Sequence, residues 1–136
     1  MQYTCQITTP KNTTIENPQV SYLRCAGGII HHIDIMFPSG SNGLLHMCCY
    51  LGGHPICPST EGMFHSGDDE TITFREHIVL KNVSNRITIK TWNESEDYSH
   101  MLIFRVYVLP LNILVPFGTD DSVVSLLSKI YHQERE

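Results

Sequence analysis

The sequence predicts an all-β domain, an antiparallel β-sandwich or jelly roll of about eight short strands followed by an arm and a short helix. Three observations lead there. Runs rich in β-branched and aromatic residues recur at short intervals, punctuated by clusters of Gly, Pro, Asn and Ser. Several runs alternate apolar and polar residues with a period of two. No helical pattern interrupts them before residue 110, so the crossovers that a parallel sheet needs are missing.

The first strand is expected over residues 3–9 (YTCQITT), ending at Pro10, with a polar loop over 11–18. Residues 19–25 (QVSYLRC) alternate, with Val20 and Tyr22 on one side. Gly27-Gly28 reads as a break. Residues 29–37 then set Ile33, Ile35 and Phe37 on one face and His32, Asp34 and Met36 on the other. The cluster PSGSNG is a turn, and residues 44–51 (LLHMCCYL) form a strand closed by Gly52-Gly53. A short segment, His54 to Cys57, leads into a long loop over 58–70. Strands are expected at 71–75, 77–81 and 86–92, with a turn at Asn82 to Asn85. In the last of these, Ile87, Ile89 and Thr91 oppose Arg86, Thr88, Lys90 and Trp92. The loop NESEDYS precedes the longest apolar strand, residues 100–109, which Pro110 stops.

The remainder differs in kind. Residues 110–117 (PLNILVPF) are apolar and bracketed by prolines, which suits an extended arm. Asp120 or Asp121 can cap a helix whose Val123, Leu127, Ile130 and Tyr131 lie on one stripe. A helix of about a dozen residues is marginal alone in water, so it must dock on its own domain or on another subunit. The domain reading is a sandwich over 1–110 and an arm plus amphipathic helix over 111–136. Leu111, Ile113, Leu114, Val115 and Phe117 would join that stripe as the docking tail.

A chain of 136 residues is one domain and can bury a core without disulfides or metal. Its apolar fraction of 41% and charged fraction of 17% are those of a globular protein. The net charge is −5, and the nine basic residues form no run, which argues against nucleic acid as a partner. Eight histidines would raise the charge steeply below about pH 6.5 if exposed. The first ten residues lack the pattern of a signal peptide, and no apolar run reaches the ~18 residues of a membrane span. The expectation is a soluble protein made in a cytoplasm. Five cysteines, an odd number, read as buried free thiols, with a Cys5–Cys25 disulfide as the alternative. Sequons at Asn12, Asn82 and Asn93 matter only in a glycosylating host.

Candidate chemistry is sparse. His46 and Cys48 share a strand face, and His54, Cys57 and His65 lie near the next turns. Zinc needs four converging ligands, and there is neither a CxxC pair nor a helical HxxxH. A metal-dependent jelly-roll protein is therefore only a weak alternative, and no metal or cofactor is expected. There is no GxSxG elbow and no phosphate loop. Asp68, Asp69 and Glu70 could supply paired carboxylates or calcium ligands, although such loop clusters commonly just solvate a turn. The most distinctive segment is TWNESEDYSH, residues 91–100. Trp92, Asn93, Asp97, Tyr98 and His100 combine a ring for stacking with groups for sugar hydroxyls. The structural alternative is that Trp92 seals the core and the rest is a polar turn. The expectation is that the protein is no enzyme.

Phe37-Pro38, Gly43-Leu44, Gly52-Gly53, Pro58, Asp68-Asp69, Trp92-Asn93, Asp97, Tyr98, His100 and Leu109-Pro110 form a further pattern over residues 30–110. It resembles a family of small β-sandwich structural proteins of tailed viruses (bacteriophages) and prophage-like elements. The resemblance implies a virion structural protein: a capsid decoration, spike or connector-type subunit. It would self-assemble or dock on a shell, be assembled in a host cytoplasm, and pair with itself and with other virion proteins. It implies no catalytic residue. The rival reading is a carbohydrate-binding β-sandwich module, with Trp92, Asn93, Asp97, Tyr98, His100, Asp68 and Asp69 as binding residues and a glycan as partner.

Overall fold

A computed structural model describes residues 1–110. The expected arm and helix, with Leu111, Ile113, Leu114, Val115, Phe117, Val123, Leu127, Ile130 and Tyr131, lie outside the described residues. The described chain is all-β: β1 (Gln2–Thr9), β2 (Gln19–Phe37), β3 (Leu45–Leu51), β4 (His54–Cys57), β5 (His65–Ser66), β6 (Glu70–Asn93) and β7 (His100–Pro110). All pairings are antiparallel. They make one seven-stranded sheet in the order β1-β7-β2-β6-β3-β4, with β5 also paired to β3. Among the described residues no helix is long and apolar enough to cross a membrane.

The strand count differs from expectation because two strands are long, and because two short strands, β4 and β5, form at the segment 54–57 and inside the loop expected over 58–70. The segments 19–25 and 29–37 are one strand of 19 residues, and 71–75, 77–81 and 86–92 are one of 24. They pair along nearly their whole length, with register shifts between Ala26 and Gly28 and between Ile30 and His32. A straight 19-residue strand would span roughly 60 Å, too far for a domain of this size, so the pair must bend. Gly27-Gly28 is where it does. A Cβ on Gly27 would sit 2.7 Å from the Asn82 carbonyl oxygen, and one on Gly28 would overlap that of Leu109. Opposite, Asn85 is buried and its Nδ2 donates to the Cys25 (3.4 Å) and Asn82 (2.9 Å) carbonyls. A side-chain amide thus replaces ladder bonds where the ladder shifts. The expected break and turn are a bulged bend inside continuous strands.

The bend gives the sheet two wings. In one, β2 from Gly28 onward lies between β7 and the first half of β6, with β1 outermost. In the other, the second half of β6 lies between the first half of β2 and β3. The alternation read from the sequence holds: Ile33, Ile35 and Phe37 are buried, and so are Ile87, Ile89 and Thr91. Ile7, Ile33, Ile35, Leu102, Phe104 and Val106 of the first wing share one apolar cluster with Leu45, Met47, Ile87 and Ile89 of the second. The sheet curls to achieve this. Edge strand β1 reaches the far end of β6, where Thr9 Oγ1 donates to Thr91 Oγ1 (2.9 Å) and Asn93 Nδ2 donates to the Thr9 carbonyl (3.3 Å).

Candidate functional site

The residues singled out in the sequence fall into different environments. Trp92 lies opposite His46 in the β6–β3 ladder, on the sheet face that points away from the core. It is nevertheless only 3% exposed. Phe64, carried by the loop after β4, covers it: the rings of Phe64 and Trp92 are 5.0 Å apart, those of His46 and Trp92 5.5 Å, and those of His46 and Phe64 4.9 Å. His46 Nδ1 bonds the Ser66 hydroxyl. Its Nε2 lies 3.5 Å from Glu94 Oε1 but is a buried nitrogen with no hydrogen bond. Burial holds the His46 pKa below its ordinary value, and the Glu94 carboxylate partly opposes that. Trp92 therefore has no free face for a sugar ring.

Asn93 is fully buried and is a structural hub. Its Nδ2 donates to the Thr9 (3.3 Å) and Tyr98 (2.9 Å) carbonyls, and its Oδ1 accepts from the Ser95 amide (3.1 Å). Its own amide donates to Thr13 Oγ1 (2.6 Å), and its carbonyl accepts from the Thr13 amide (2.9 Å). The Asn93 sequon is thus closed to modification in the folded chain. Asp68 Oδ1 accepts from the amides of Gly40 (2.9 Å) and Asn42 (3.2 Å), closing the turn before β3. Asp69 has a left-handed backbone, φ +49°, and its amide donates to the Pro38 carbonyl. Asp97 and Tyr98 are exposed, and His100 is half-buried opposite Thr9. Only Asn93 and Tyr98 are joined by a hydrogen bond, through a backbone carbonyl.

What the structure does assemble is a cationic face that the sequence kept dispersed. On the outward face of the second wing, Lys90 of β6 lies between Val20 and Cys48, Thr88 lies between Tyr22 and Tyr50, and Arg86 pairs with Arg24. Arg86 lies 4.5 Å from the Tyr22 ring centre and Lys90 lies 5.0 Å from that of Tyr50. Both contacts are within cation–π reach. Tyr22 is 54% exposed and Val20 44%. Arg24 directly faces Arg86, an arrangement that costs stability unless an anion offsets it. Among the described residues no Lys or Arg forms an ion pair, since both ion pairs involve histidines. Beside this face opens a cleft of about 1050 Å³ at the bend, with His54, His77, Lys81 and Arg86 on its walls and, among the described residues, no carboxylate. Alternation had put Tyr22 on one strand face and Arg86, Thr88 and Lys90 on another. Only the pairing of those strands was missing.

Two other polar groupings are visible. On the first wing, Asp34 is buried between His32 Nε2 (2.8 Å) and the Tyr107 hydroxyl (3.0 Å). All three are mutually satisfied and none lines the cleft. On the second wing, Cys49 lies opposite Cys57 in the β3–β4 ladder, both fully buried. All five cysteines are free, so the alternative Cys5–Cys25 bond is not formed. Among the described residues no three His, Cys, Asp or Glu side chains converge as metal ligands. No protein-family model and no curated protein sequence matches the chain.

Proposed function

We propose that the protein is a structural subunit of a virion, whose two wings face each other as the layers of a β-sandwich and which assembles through the edge of its sheet. The observation that carries this reading is β1. Among the described residues it is an outermost strand of eight residues, QYTCQITT, with no charge and no proline. Natural edge strands that must stay unpaired are usually short, charged or interrupted by proline. An uncharged β-prone edge offers its free N–H and C=O groups to another strand. The partner in assembly is a second copy of the chain or a neighbouring shell protein. The test is light scattering of the full chain across a concentration series, beside Thr4→Lys and Gln6→Lys. These two side chains are exposed on β1, so the variants charge the edge without entering the core. The expected result is an oligomer in the parent and a monomer in the variants. A parent that is monomeric at every concentration and ignores shell proteins refutes it.

A second reading has its own observation. The face of Tyr22, Arg24, Arg86, Tyr50 and Lys90 fits an acidic glycan better than the buried Trp92 and Asn93 fit a neutral one. Binding to acidic members of a glycan array, lost on Arg86→Glu, supports it; a blank array removes it.

A further inference from the structure

Directly opposed residues of an antiparallel pair have Cα atoms about 4.5–5.5 Å apart and side chains on one face. Disulfides close across about 4.4–6.8 Å. Cys49 and Cys57 meet that requirement by register alone. Cys48 points to the other face, in register with Lys90, and cannot compete from its place in the strand. The two thiols are also chemically unequal. Burial, and then the neighbouring Cys57, push the Cys49 thiol well up, so it keeps its proton. The Cys57 thiol is lowered to about 7, first by its neighbour Cys49 and then, against burial, by His65. Contact with Cys57 raises His65 in turn. Cys49, Cys57 and His65 lie on β3, β4 and β5, and His65 is in register with Met47, two residues from Cys49 on the same face of β3. β4 is a four-residue strand paired, among the described residues, only to β3, and short edges of this kind open locally at low cost. A small oxidant therefore has a way in.

We propose that Cys49 and Cys57 form a peroxide-reactive dithiol that closes into an intrachain disulfide, with His65 holding and returning the protons. The Cys57 thiolate attacks one oxygen of hydrogen peroxide. The O–O bond breaks, and the departing hydroxide takes the His65 proton and leaves as water. Cys57 is then a sulfenic acid. Cys49 passes its proton to the neutral His65, and its sulfur attacks the Cys57 sulfur. The S–O bond breaks, and the second hydroxide takes that proton as water. Two thiols and one peroxide become one disulfide and two waters: the sulfurs lose two electrons and the peroxide oxygens gain them.

The experiment treats the reduced full-length chain with hydrogen peroxide, unfolds it in alkylating reagent and maps the peptides without reductant. The expected result is a fall from five titratable thiols to three, with the missing pair mapping to Cys49–Cys57 in a chain that stays single. Cys48→Ser should behave like the parent. Cys49→Ser should halt at the sulfenic acid, trapped on Cys57 by a 1,3-dione. In the parent the reaction should reach half its maximal rate near pH 7, where Cys57 titrates, and His65→Gln should move that midpoint upward. Five thiols surviving peroxide, a bond mapped to any other pair, or products only between chains overturns the proposal. The mapping on the parent decides the matter even if a variant fails to fold.

Discussion

Asn93→Ala is the most discriminating single substitution, because the sequence leaves Asn93 open between a ligand group and part of a structural turn, and it sits in the structure as a buried tie. The substitution removes two donors and one acceptor. The Tyr98 carbonyl belongs to an exposed segment and can turn to water. The Thr9 carbonyl and the Ser95 amide belong to residues that are 0% and 8% exposed, so they are left without partners. An unsatisfied buried polar group costs about 1–3 kcal/mol, so two of them, with the small cavity, should cost about 3–5 kcal/mol. That is a large share of the roughly 5–15 kcal/mol that holds a domain together. The assay is urea unfolding followed by circular dichroism, with the shift in midpoint read at constant slope. Asp97→Ala, on the exposed turn next to it, should stay within about 0.5 kcal/mol. A loss below about 1 kcal/mol for Asn93→Ala would refute the reasoning, since it would mean that solvent replaces those bonds freely.

Two further outcomes follow from the geometry. Gly28→Ala should unfold the domain or cost several times what Gly43→Ala costs. A Cβ at Gly28 overlaps the Leu109 carbonyl and comes within 2.8 Å of Val108 Cγ1, whereas one at Gly43 meets nothing and bears only the strain of its left-handed backbone, φ +74°. Thermal melts of the two variants check this. His46→Gln should flatten the dependence of stability on pH. Burial holds the folded His46 below the unfolded value, so the unfolded chain binds the proton first as pH falls. The contribution is fully present above about pH 6.5 and is lost as pH drops toward the folded pKa. Melting temperatures from about pH 7 to pH 5 should fall less in the variant than in the parent; equal slopes would place the proton elsewhere. Ser66, Glu94, Phe64 and Trp92 surround this imidazole, and only the Glu94 carboxylate opposes the trend.

The all-β, antiparallel character and the core faces of the second half of β2 and the last part of β6 were legible because alternation is local. Ile33, Ile35, Phe37, Ile87 and Ile89 were read onto the core side, and all are buried there. Strand continuity was not legible. Gly27-Gly28 and Asn82–Asn85 carry the residues of turns, and nothing in either segment says that the other faces it across a ladder. Trp92 was read as distinctive, but its cover, Phe64, comes from a loop whose path has no sequence pattern. The cationic face escaped for the same reason as the dithiol. Arg24 with Arg86, and Cys49 with Cys57, become neighbours through register, which is a property of pairs of strands.

The pairing of β1 with β7 has a consequence for synthesis. Gln2 lies opposite Tyr107, and the Val108 amide donates to the Met1 carbonyl (2.6 Å). β1 leaves the ribosome well before β7, its one ladder partner among the described residues. At about 5–20 residues per second that interval is on the order of 5–20 s. Through it, an uncharged β-prone segment is available to the same segment on neighbouring nascent chains. Slowing translation, or crowding ribosomes on one message, should therefore favour early association over solitary folding.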